Sequence, residues 1–273
     1  MADGRGRADL ERALKSVERR EAWLSRRADA PGPGGWKARL ESRIPPKAAD
    51  GLKAAFSRAF SLLFERGGAW IERGCRPEEL AALYAVRDSA VDRRAGRAEL
   101  RRMYGGARRS NALNTALSAL EGLVLGALGI GLPDIVIFLG LLLRGIYSTA
   151  MSYGFSCSGA REQLFILKLM HLSLSTGGER RRLSGELDAL MSDPRCPDAA
   201  ELERQMSRTA SAFAVDMLAI KFVQGLPLVG IVGGAANPIY YRRVTACAEL
   251  KYKKRYLLGK LGRIPLPPGP DAQ

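Results

Sequence analysis

The chain has a single histidine in 273 residues, four cysteines, and only 7% aromatic side chains. With His171 alone, most metal and general-base chemistry is excluded, because imidazole supplies so much of both. Cys75, Cys157, Cys196 and Cys247 lie far apart in the sequence and form no CxxC pair. That spacing excludes a zinc knuckle, a redox motif and a disulfide framework. No glycine-rich run ends in Lys-Ser or Lys-Thr, so there is no Walker-type phosphate loop, and no GxGxxG follows a strand. No stretch alternates like a β-strand over a useful length, and no repeat of fixed period is present. The first 22 residues are dense in charge and lack an apolar run, so no secretory leader is expected there. No metal and no cofactor are expected.

What is present is basic charge. Lys and Arg number 43 against 28 Asp and Glu, a net charge of +15. The excess sits at the two ends. Residues 1–110 and 209–273 are strongly basic, residues 161–208 are balanced, and residues 111–160 carry almost no charge. Two basic arms around a chargeless centre point to an anionic partner, either a phospholipid surface or a nucleic acid.

The hydrophobic pattern is helical throughout. Leu10, Leu14, Val17 and Leu24 form one stripe of an amphipathic helix that stops before Pro31-Gly32-Pro33-Gly34-Gly35. Leu52, Phe56, Phe60, Leu63 and Phe64 form a second stripe, interrupted at Gly67-Gly68. Pro77-Glu78-Glu79 opens a helix that the pattern extends toward Tyr104, with Gly105-Gly106 as its stop. Leu132-Pro133-Asp134 breaks the first apolar region into two halves, and Asp134 is placed to cap the second. Neither half reaches the roughly 20 apolar residues of a crossing, so a helical hairpin or a pair of buried helices is expected. Residues 175–198 read as a polar surface excursion or a long loop with a short helix in it. A long helix follows from Ala199 to about Gln224. The uncharged stretch 222–241 is broken by Gly225, Pro227, Gly230, Gly233, Gly234 and Pro238, and a last helix runs from near Pro238 to about Gly262. The expected fold is all-α: a multi-helix bundle with two apolar, Gly/Pro-broken hairpin segments. The expected division is an N-terminal helix and linker (1–35), a basic helical region (36–110), an apolar helical core (111–262) and a disordered tail (263–273).

Close helix packing is suggested by the GxxxG pairs Gly122/Gly126 and Gly230/Gly234. Gly154-Phe155-Ser156-Cys157-Ser158 approaches a nucleophile elbow but lacks its final glycine, so a hydrolase would rest on Ser156 and His171 alone. Asp134 and Asp216 are isolated acids in apolar surroundings, and a buried pair of one of them with Arg144 or Lys221 is expected.

Two groups of residues resemble the EcsC family of bacterial proteins. The first is Leu132-Pro133-Asp134, Leu143-Arg144-Gly145-Ile146-Tyr147 and Tyr153-Gly154-Phe155. The second is Leu226-Pro227-Leu228-Val229-Gly230, Gly233-Gly234, Asn237, Tyr241, Ala246, Ala248, Tyr252 and Arg255. The resemblance implies an all-helical protein associated with an ABC-type transporter, and it carries over no catalytic residues. Pro133, Asp134, Arg144, Tyr153, Gly154, Gly230, Gly234 and Asn237 are its architectural positions. The resulting expectation is a non-catalytic accessory protein on the cytoplasmic face of the inner membrane, peripheral or hairpin-inserted, assisting transport, secretion or envelope homeostasis. Arg242, Arg243, Lys251, Lys253, Lys254 and Arg255 are expected to face an anionic lipid surface. The alternative is a soluble basic module, cytoplasmic, that binds nucleic acid or a protein partner.

Overall fold

The computed structural model describes residues 4–29, 46–108, 133–224 and 236–265. Among these residues the chain is helical and contains no strand. Helix α1 is Gly4–Asp29, and its stripe of Leu10, Leu14 and Val17 is buried. Helix α2 is Pro46–Leu62, opened by a proline whose missing N–H costs nothing at a first turn. Gly67-Gly68 does not end this segment. One π-helical turn, Leu63–Gly67, shifts the phase and leads straight into α3, Gly68–Gly74. The extra residue per turn keeps Leu63 and Ile71 both in the core.

Helix α4, Pro77–Arg93, starts at Pro77 with Glu78 and Glu79 in its first turn. It does not continue to Tyr104 as the periodicity suggests. Arg94 takes an extended backbone (φ −155°, ψ 97°), Ala95 turns into the core, and α5, Arg97–Arg108, begins afresh. Gly105 and Gly106 lie inside α5 rather than stopping it.

Helix α6, Pro133–Ser152, is the centre of the fold and packs on α2, α3, α4, α5 and α10. Its Asp134–Ser152 stretch is long and apolar enough to cross a membrane, yet 94% of its most apolar window is buried inside the protein. The neighbouring helices supply the apolar surroundings this sequence needs. This half of the first apolar region is therefore a core helix; residues 109–132, the other half with Gly122 and Gly126, lie outside the described residues.

Helix α7, Ala160–Leu174, packs on α8, α9 and α10. The polar segment after it does contain the helix expected as one alternative, but a long one: α8, Gly177–Ser192, buries Leu183, Leu187, Leu190 and Met191, one helical stripe beneath a charged outer face. Helix α9 is Ala199–Gln224, and α10 is Ala236–Lys260. Most of the second apolar region (225–235), with Gly230 and Gly234, lies outside the described residues, as does the tail beyond residue 265.

The core is aromatic where α2, α6, α9 and α10 meet. Phe56 stacks on Phe213 (centroids 5.4 Å apart), and Phe138 meets the Tyr240 ring edge-on at 5.6 Å. Each fully buried ring contributes about 1.5–3 kcal/mol through area alone. Helices α6 and α10 approach closely at Gly145, where a Cβ would stand 2.7 Å from Thr245 Cγ2 and 2.9 Å from the Tyr241 ring. Gly145 belongs to the Leu143–Tyr147 motif; the GxxxG pairs expected to pack closely lie outside the described residues.

Candidate functional site

Helix α10 carries bases and tyrosines three or four residues apart, so each pair lies on one face of the helix. Each pair converges on carboxylates of other helices. Tyr240 and Arg243 both reach Asp216 of α9, the phenol donating at 2.7 Å and Arg243 Nη1 at 3.3 Å. Tyr252 and Arg255 both reach Glu162 of α7, at 2.6 and 2.7 Å. Tyr256 and Lys260 both reach Asp88 of α4, at 2.9 and 2.7 Å, and Lys260 also reaches Asp92. Lys251 and Lys254 share Glu21 of α1 and Asp188 of α8, at 2.7 and 2.8 Å. Helix α10 therefore clamps α1, α4, α7, α8 and α9 through buried or half-buried charge. Burial raises the phenol pKa of Tyr240, Tyr252 and Tyr256, and the adjacent carboxylates raise it further, so these hydroxyls stay protonated donors. For Lys254, burial lowers the pKa, but its hydrogen bonds to Asp188 and Glu21 outweigh it and hold the amine above its ordinary value.

This arrangement corrects the expectation that the bases of α10 face lipid. Lys251 is 1% exposed, Lys254 is buried, and Arg255 lies over the Phe155 and Phe165 rings. These three are internal. Their carboxylate partners lie 63 to 233 residues away in sequence, so α10 read alone looks like a free basic helix. Arg242 is exposed, Arg243 and Lys253 are half-buried, and all three line a surface groove.

Asp216 pairs with Arg243 rather than Arg144; the side chain of Lys221, the other base expected for it, lies outside the described residues. Asp134 stays exposed on the first turn of α6, beside Pro133, the first residue of that helix. Arg144 is buried against Gly74, where Nη1 would stand 3.1 Å from an added Cβ, and its Nε has no hydrogen-bond partner among the described residues. Burial pushes the neighbouring Cys75 thiol up to about 11, against the opposing pull of Arg144. Tyr153 is buried and its ring meets Tyr256 at 5.9 Å. Gly154 has φ +80°, in the left-handed region. Asn237 lies in the first turn of α10.

Ser156 and His171 do not meet. Ser156 Oγ shares a 2.7 Å hydrogen bond with Ser158 Oγ, whereas His171 lies 3.4 Å from Glu179 and 3.5 Å from Gln205. Burial lowers the pKa of His171 more than Glu179 raises it, which favours the neutral ring. The described residues contain no group of three or more His, Cys, Asp or Glu that could hold a metal ion.

The groove is the feature that sequence reasoning missed. It lies between α1 and α10, is closed at one side by the turn from α7 into α8, and measures about 850 Å³. Five bases line it, Arg20, Arg180, Arg242, Arg243 and Lys253, against one acid, Glu249. Its floor is apolar, formed by Val17, Leu24, Ile239, Ala246, Cys247 and Leu250, and Ile239 is 51% exposed. Arg180 donates to the Leu172 carbonyl at 3.0 Å and Arg243 to the Leu174 carbonyl at 3.4 Å, so the last turn of α7 holds both guanidinium groups. Arg20 lies over the Trp23 ring at 4.4 Å, and Lys253 over Tyr104 at 3.4 Å. The signal in sequence is slight: spacings of four and eight on α1 (Ser16, Arg20, Leu24) and three or four on α10.

The description "EcsC protein family" matches residues 8–257, which takes in nearly all of the helical frame above. The chain belongs to the EcsC family. An uncharacterised protein of Bacillus subtilis (strain 168), YdbA, is 27% identical over 129 residues, 47% of each chain. The chain thus matches about half the length of that relative. No solved structure gives a match. The match reaches back to residue 8, so this EcsC protein carries its family pattern through α1, and both walls of the groove fall within it.

Proposed function

We propose that this EcsC protein is a non-catalytic helical protein that docks on an anionic membrane surface through the face formed by α1 and α10. The observation that carries this reading is the groove: five bases against one acid, around an apolar floor, on an open face. Internal bases are already matched by carboxylates, whereas Arg20 and Arg242 stand at the rim without a carboxylate partner among the described residues. Each base near an anionic leaflet is worth about 1 kcal/mol, so the four groove bases other than Arg243, which Asp216 already matches, give together roughly a thousandfold preference for charged over neutral lipid. The location this supports is the cytoplasmic side of the membrane. An accessory role beside an ABC-type transporter, in transport, secretion or envelope homeostasis, is part of this proposal and depends on this docking.

Sedimentation with vesicles tests it. The protein should pellet with phosphatidylglycerol vesicles and stay in solution with phosphatidylcholine vesicles at low ionic strength. Raising salt should weaken the association by shortening the screening length. Equal binding to both vesicle types, or salt-sensitive retention on RNA with none on vesicles, would overturn the reading in favour of a soluble nucleic-acid-binding module.

A further inference from the structure

We infer that the groove between α1 and α10 holds one single-chain amphiphile by its phosphate group. This rests on the membrane-docking reading and deepens it from a surface to a bound molecule. Docking on headgroups alone requires only charge. An apolar floor beneath that charge is of no use to a headgroup or a free inorganic anion, but it matches an acyl chain.

The two halves of the ligand have separate places. Arg180 and Arg243 are anchored on carbonyls of the same helical turn, Leu172 and Leu174, and Arg243 is also paired with Asp216, so both guanidinium groups are fixed at one end and Arg180 and Arg242 supply the charge for the phosphate. Arg242 adjoins them on α10 and is exposed. A planar fork held in place loses little entropy on binding and matches phosphate oxygens in pairs. From Arg243 to Leu250 the helix rises about 10 Å, and along that length the groove is lined by Ala246, Leu250 and, from α1, Val17 and Leu24. A phosphate at the α7 turn thus places an attached chain along apolar side chains. The volume, about 850 Å³, falls in the range of small-molecule sites, roughly 300–1,000 Å³. The excess of base excludes a cationic or zwitterionic headgroup of equal size.

The test uses fluorescently labelled lysophosphatidic acid, held below its micelle concentration and titrated with the full chain. The same labelled tail on an uncharged glycerol ester, and inorganic phosphate as competitor, distinguish amphiphile from free anion. Saturable one-to-one binding is expected, with the uncharged ester at least about tenfold weaker. Ala246→Trp fills the exposed floor of the groove and should weaken the probe at least about tenfold, a larger loss than the same variant shows in sedimentation with phosphatidylglycerol vesicles. Arg242→Glu, on an exposed side chain, should weaken the probe similarly, and circular dichroism checks that both variants fold. Equal affinity for the uncharged ester, an unchanged probe affinity in folded Ala246→Trp, or displacement by inorganic phosphate at the probe's own concentration would each overturn the assignment. Vesicle binding by wild type with no uptake of the probe overturns the groove assignment alone. Uptake of the probe with no vesicle binding supports the groove assignment and overturns the docking reading instead.

Discussion

Alanine at position 154 is expected to destabilise the protein by about 2–5 kcal/mol, read as a lower midpoint in urea unfolding with an unchanged slope. Gly154 ends α6 with φ +80°, and a Cβ there would stand 2.4–2.8 Å from the buried Tyr84 ring. Two costs add. A side chain in the left-handed region costs about 1–2 kcal/mol. Displacing a packed ring costs about 1–3 kcal/mol more, because the core has no slack to absorb it. The turn itself cannot relax, since Tyr153 and Phe155 on either side are buried and the Phe155 amide is bonded to the Ala150 carbonyl at 3.0 Å. A loss below about 1 kcal/mol would mean that Tyr84 does not pack on this turn.

The second large effect is at Glu162. Replacement by alanine should cost about 3–5 kcal/mol, because it leaves Arg255 in the interior without its carboxylate and the Tyr252 hydroxyl without its acceptor. The two rings beneath Arg255 soften the loss but cannot replace an anion at 2.7 Å. The paired substitution Glu162→Ala with Arg255→Met should recover more than half of the loss, since a buried ion pair exchanged for apolar groups is close to neutral. If the double variant is no better than the single one, the damage comes from lost packing and not from the stranded charge.

Much of the fold was legible in the sequence, because helix periodicity and stop signals are local. Pro77 with Glu78 and Glu79 marks a helix start, and the stretch from Ala199 to Gln224 reads as a helix with the observed bounds. The missed elements have physical reasons. The length of helix α8 was obscured by Gly177-Gly178 and three consecutive arginines, although Leu183, Leu187, Leu190 and Met191 keep helical spacing. The break over residues 94–96 is marked in sequence by Gly96 alone, and Ala95 turns into the core there. Around the candidate site, local reading failed for the opposite reason. Bases at three- and four-residue spacing on α10 look alike in sequence, and only the carboxylates brought by three distant helices separate Lys251, Lys254 and Arg255, which hold the fold, from Arg242 and Lys253, which line the groove. The glycines of the family resemblance gain a cause in the same way: Gly145 admits Thr245 and Tyr241, and Gly154 admits Tyr84.

This division of the basic charge, part structural and part presented on one face, distinguishes docking through the groove from adhesion driven by a net charge of +15. Vesicle affinity of two charge-matched double variants separates them. Arg20→Glu with Arg242→Glu changes the groove rim, and Arg58→Glu with Arg204→Glu makes the same change in net charge at exposed positions on α2 and α9. The groove variant should lose at least about a hundredfold in affinity for phosphatidylglycerol vesicles, while the α2/α9 variant stays within about twofold of wild type. Equal losses in the two variants would contradict the account, because the membrane would then be reading total charge and not this face.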